Sequence, residues 1–170
     1  PKCFQAIRSR RKRQVFRQAN KGRNRLSRAG AVTQIKALLA ANSSPNFQVV
    51  LIGEPLSIPS GDRVAAAWFS GESAKTKTLG NVMVTQTWTV RCYWRVQASA
   101  QSREATELEI WNAVRAVQAG FRGDSTLSDN VTDLDISLAA VGWSDVGGNT
   151  FRICSFNLEL IDLEAESIAP

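Results

Sequence analysis

The chain has 170 residues and 21 Lys+Arg against 15 Asp+Glu, a net charge of +6 on a length that suits one domain. Apolar residues at 44% and charged residues at 21% exclude wholesale disorder and a fibrous repeat. Histidine is absent, which removes the commonest general base, the usual metal ligand and every Ser-His-Asp or Cys-His arrangement.

Residues 1–30 read as a basic arm: they hold 11 Lys or Arg and no acid, so they carry +11 and the remainder −5. Its run Arg8, Arg10, Arg11, Lys12 and Arg13, with Arg17 beyond, is a candidate contact for nucleic-acid phosphates or an acidic protein surface. Guanidinium groups hold such oxygens bidentately. Only Phe4 and Phe16 offer stacking rings, so nucleic-acid binding would be to the backbone. The first residues show no apolar signal-peptide core, and Pro1 is compatible with removal of an initiator Met.

Residues 31–41 (AVTQIKALLAA) predict a helix with Val32, Ile35, Leu38 and Leu39 on one stripe, stopped at Asn42. A short strand follows at 47–52 (FQVVLI), closed by Gly53-Glu54-Pro55, then a strand at 63–70 and a polar loop or hairpin tip at 71–80. Residues 82–97 carry the strongest signal, an alternation that only Gln86 spoils. It predicts one long antiparallel strand with Val82, Val84, Trp88, Val90, Cys92, Trp94 and Val96 on one buried face. Arg91, Tyr93 and Arg95 share the opposite, wet face and are candidate partner contacts. Ser102 reads as the N-cap of a helix whose stripe is Leu108, Ile110, Trp111, Val114, Val117 and Phe121, ended by Gly120 or Gly123; Trp111 reads as core, with an interface anchor as the alternative. Two final strands, 133–141 with Leu134, Ile136, Leu138 and Ala140 on one face and 151–162, join through a Gly147-Gly148-Asn149 hairpin turn. An acidic tail, 164–170, is expected to fray.

The order α-β-β-β-α-β-β predicts an α+β fold. Its antiparallel or mixed sheet of four to five strands packs two helices on one face. The domains read as 1–30 arm, 31–163 body and 164–170 tail. No site for chemistry emerges. Cys3, Cys92 and Cys154 are scattered and odd in number, so they read as thiols, two of them acting as small apolar residues in strands. Asp133 with Asp135, and Glu164 with Glu166, share strand faces but lack further ligands at metal spacing. GWSDVGG at 142–148 has no lysine behind it and leads into a strand, so it is no phosphate loop. The chain is expected to be no enzyme, with no cofactor and no metal, and no apolar run reaches the ~20 residues that cross a bilayer.

The succession AVTQIKALLAA, FQVVLIGEP, RVAAAWFS, TWTVRCYWRVQ, REATELEIWNAVRAVQAGF and DLDISLAAVGWSDVGGNTFRICSFNLELI resembles the tail terminator (head–tail joining, or neck) proteins of long-tailed bacteriophages over residues 30–163. The resemblance implies a structural virion protein, assembled in the host cytoplasm. It would form a homo-oligomeric ring, commonly of six, at the head–tail junction. Its implied partners are the tail tube protein and the head connector or stopper protein, with DNA passing through the channel. The basic arm departs from that pattern. The alternative is a nucleic-acid-binding module that uses the arginine-rich arm.

Overall fold

The computed structural model describes residues 28–42, 46–78, 81–95 and 100–165. The arm positions Arg8, Arg10, Arg11, Lys12, Arg13 and Arg17 lie outside the described residues.

Helix α1 (Arg28–Ala40) leads into strand β1 (Val49–Ile52), and a ten-residue loop, 53–62, leads from there into β2 (Arg63–Thr78). Strand β3 (Asn81–Arg95), helix α2 (Ala100–Gly123), β4 (Asp133–Val146) and β5 (Asn149–Ala165) follow. The five strands form one sheet in the order β1-β2-β3-β5-β4. It is mixed: β1 pairs parallel with β2, and every other neighbouring pair is antiparallel. The α+β expectation holds, with both helices on one face.

The helix-covered face carries the main core. Ala31, Ile35 and Leu39 of α1, and Ile110, Ala113, Val114, Val117 and Phe121 of α2, pack on Val90, Cys92 and Trp94 of β3 and on Cys154, Phe156, Leu158 and Leu160 of β5. Alternation along β3 and β5 aims these residues at the helices, and burying each aliphatic or aromatic side chain contributes about 1.5–3 kcal/mol. Gln86, which breaks the apolar pattern, is also buried on this face and donates from Nε2 to Glu72 Oε2 at 3.0 Å. Trp88 and Trp94 bury their indole N–H groups without a partner, a cost of about 1–3 kcal/mol each.

The opposite face is different at its two ends. Beside the starts of β2 and β5, Val64, Ala66, Tyr93, Phe151 and Ile153 form a second, smaller core, with Ile58 of the 53–62 loop packed against it. That loop reaches the β4–β5 turn: a Cβ built on Gly147 would sit 3.4 Å from Ser57 Cβ. Gly147 and Gly148, at φ 59° and 78°, make the expected two-residue hairpin turn. At the other end the same face is polar, with Thr85, Thr87, Asn157, Glu159, Asp133 and Asp135 on neighbouring strands.

Several expectations are corrected. Residues 71–78 are strand, not loop, because β3 supplies a matching ladder from Gly71↔Thr87 to Thr78↔Asn81 despite the polar composition. A bulge at Phe69/Gly71 resets that ladder. Helix α2 begins at Ala100, so Ser102 lies inside it; it ends at Gly123, one of the two glycines expected to stop it. A bulge at Leu138/Ala140 turns Ala140 to the face away from the helices and brings Val141 and Trp143 to the helix face. Tyr93 is only 2% exposed, because the 53–62 loop and Phe151 cover a face that alternation alone assigns to solvent. Leu108 and Trp111, expected on the buried stripe, are 64% and 63% exposed, since the buried side of α2 runs through Ile110, Val114 and Val117.

Candidate assembly interface

Apart from Leu56 in the 53–62 loop, the exposed large apolar side chains among the described residues fall into two groups, one at each edge of the sheet. At the β4 edge Leu138, Val141 and Trp143 are exposed, as are Leu108 and Trp111 of α2. Arg152 of β5 joins strand and helix: its guanidinium donates to Glu107 Oε1 at 2.6 Å and Oε2 at 3.1 Å and stacks 5.2 Å over the Trp143 ring. The Arg152 hydrogen bonds hold the Glu107 carboxyl below its usual range, against a weaker opposing effect of burial. At the other edge, Ile52 of β1 and Phe69 of β2 are exposed, with Phe69 edge-on to Trp88 at 6.0 Å.

The edges differ in construction. β4 faces no further strand along its whole length among the described residues. On the opposite side β1 covers β2 only from Val64 to Ala67, so β2 is itself the edge from Phe69 onwards. Both are continuous with solvent-facing backbone, the usual template for pairing with another chain.

Arg91, Tyr93 and Arg95 do come together, but around the second core. Arg91 Nε donates to Ser155 Oγ at 2.9 Å and stacks on Trp68 at 5.2 Å; Arg95 lies 5.9 Å from the Phe151 ring. Burial pushes the Tyr93 hydroxyl up, opposed by the nearby Arg91 charge. Arg95 is exposed, so of the three it is the one a partner can reach most readily. Sequence reasoning missed the β4 group. Its signal was the run Leu138-Ala139-Ala140-Val141, where strict alternation fails and a bulge re-aims Trp143.

Cys92 and Cys154 are free thiols, fully buried and directly paired across β3 and β5. Burial raises the Cys92 thiol, which disfavours the thiolate that a nucleophile needs. Among the described residues no group of three or more Cys, Asp or Glu is placed to hold a metal ion, and no helix is long and apolar enough to cross a membrane.

No family model and no curated protein matches the chain. Among solved structures it is similar to the sheath/tube terminator of an extracellular contractile injection system, PVC, in its extended state. The TM-score is 0.44 at 9% sequence identity, covering 85% of this chain and 60% of that one, so the chain spans less than two thirds of that protein's length.

Proposed function

We propose that the protein is a structural subunit of a tail-type particle, a tail-terminator-like chain whose copies close into a ring, of six as the family resemblance implies, on the end of a tail tube. One observation carries this reading: among the described residues an open sheet presents two long edges with no further strand, each flanked by exposed large apolar side chains. Side chains such as Trp143, Trp111 and Phe69 cost free energy in water and gain it in a subunit contact. The role is mechanical rather than enzymatic. One ring face stops tube growth, and the other meets the next component, a sheath or head connector protein, with DNA passing through the channel in a phage particle.

The test is the particle mass of the full chain, measured by sedimentation across concentration, with and without tube subunits. A discrete ring that halts tube extension is expected. A stable monomer that leaves tube growth unchanged overturns the proposal. The arginine-rich arm favours the second reading, nucleic-acid binding. That reading expects affinity that falls steeply with salt and disappears when residues 1–28 are removed.

A further inference from the structure

The sheet is electrically divided. Strands β2 and β3 carry Arg63, Lys75, Lys77, Arg91 and Arg95 against one acid, Glu72, a net +4. Strands β4 and β5 carry Asp133, Asp135, Asp145, Glu159, Asp162 and Glu164 against one base, Arg152, a net −5. Because the spatial order is β1-β2-β3-β5-β4, the positive half lies on one side of the sheet and the negative half on the other.

The apolar groups follow the same division, and the registers align them. Ile52 pairs with Ala67, Ala67 with Val90, Val90 with Phe156, and Phe156 with Leu138. Ile52 and Leu138 are therefore the two ends of one rung, exposed at 41% and 39%. Two rungs share the acidic end: Ser73, Thr85, Ile161 and Asp133 form one, and Gly71, Thr87, Glu159 and Asp135 form the other. Lys75, opposite Met83, lies one same-face step beyond the Asp133 rung, on the same uncovered face.

We infer that the partner at these edges is a second copy of this chain, set side by side in the same orientation, with β4 of one copy against β1 and the free stretch of β2 of the next. This deepens the ring reading above and rests on it. Direction agrees: β2 runs opposite to β3, β3 to β5 and β5 to β4, so β4 meets the next copy's β2 antiparallel. Charge agrees too, because Asp133 and Asp135 then approach Lys75, and Leu138 approaches Ile52. A two-fold contact through β4 would instead set three acids and no base against the same three acids, and like charges across strands repel. A two-fold contact through β2 would leave the three acids of β4 without a basic partner. The remaining arrangement is heterologous, the kind that closes rings when its rotation closes.

The experiment uses two full-length variants, Asp133→Lys with Asp135→Lys, and Lys75→Glu with Lys77→Glu, each checked for an unchanged melting temperature. Sedimentation of each alone is expected to show assembly weakened at least tenfold. An equimolar mixture is expected to restore particles of wild-type mass, because reversed edges then meet reversed edges and native edges meet native ones. Variants that assemble like the wild type overturn the edge assignment while leaving the ring reading intact. A mixture that stops at dimers, or that fails to recover, overturns it as well. A wild-type chain that stays monomeric throughout overturns the ring reading, and this inference with it.

Discussion

The two faces of one sheet are built on different terms. The helix face closes an apolar layer along β3 and β5, whereas among the described residues the opposite face is closed only where a ten-residue loop lies on Tyr93, Phe151 and Ile153. Alternation alone cannot distinguish them, because period two says which residues share a face and not what covers that face. The difference shows that a strand's second face can be half core and half surface, with the boundary set by a distant loop.

The comparison breaks most visibly under truncation. Phe156→Ala on the helix face is expected to cost about 4–5 kcal/mol, and Phe151→Ala under the loop about 3 kcal/mol, since the smaller cluster collapses more easily. Denaturant midpoints at constant slope measure both. Phe151→Ala should in addition raise the rate of proteolysis within 53–62, a change Phe156→Ala should not produce ahead of global unfolding. A smaller effect is expected at the turn after α2, where Leu127, Ser128 and Asp129 take φ of 47°, 54° and 66° in succession. Asp129→Gly removes a left-handed penalty and should stabilise the fold by up to about 1 kcal/mol, read as a rise in melting temperature. Smallest is the pH response of Glu107→Gln. The folded carboxyl is depressed, so its contribution is present above the ordinary glutamate range, near pH ~4.3, and is lost as pH falls through the folded value. The wild type should therefore melt slightly above the variant near neutrality, and the two curves should converge in acid.

Much of this fold was legible. The long alternation of 82–95 and the glycine pair at 147–148 fixed a central strand and a hairpin, and the spacing Ile35–Leu39 and Ile110–Val114–Val117–Phe121 fixed the buried sides of both helices. What escaped the pattern was non-local. Gly71 to Thr78 looks like a loop until β3 pairs with it, and Tyr93 looks wet until Phe151 and Ile58 reach it. The candidate interface was least legible: Trp143 is aimed by a bulge, and Trp111 sits beside a buried stripe rather than on it.

The loop 53–62 has a mechanical consequence. It leaves the β1 edge and ends its reach beside Gly147 at the β4–β5 turn, so it crosses the full breadth of the sheet at one end. In a side-by-side array, tension runs perpendicular to the strands and pulls along their hydrogen bonds. At the crossed end packed chain on both faces shares that tension; at the other end, among the described residues, packed chain lies on the helix face alone. Stiffness is therefore graded along the strand axis, and a loaded ring of such subunits would widen first at the rim that carries Asp133 and Lys75.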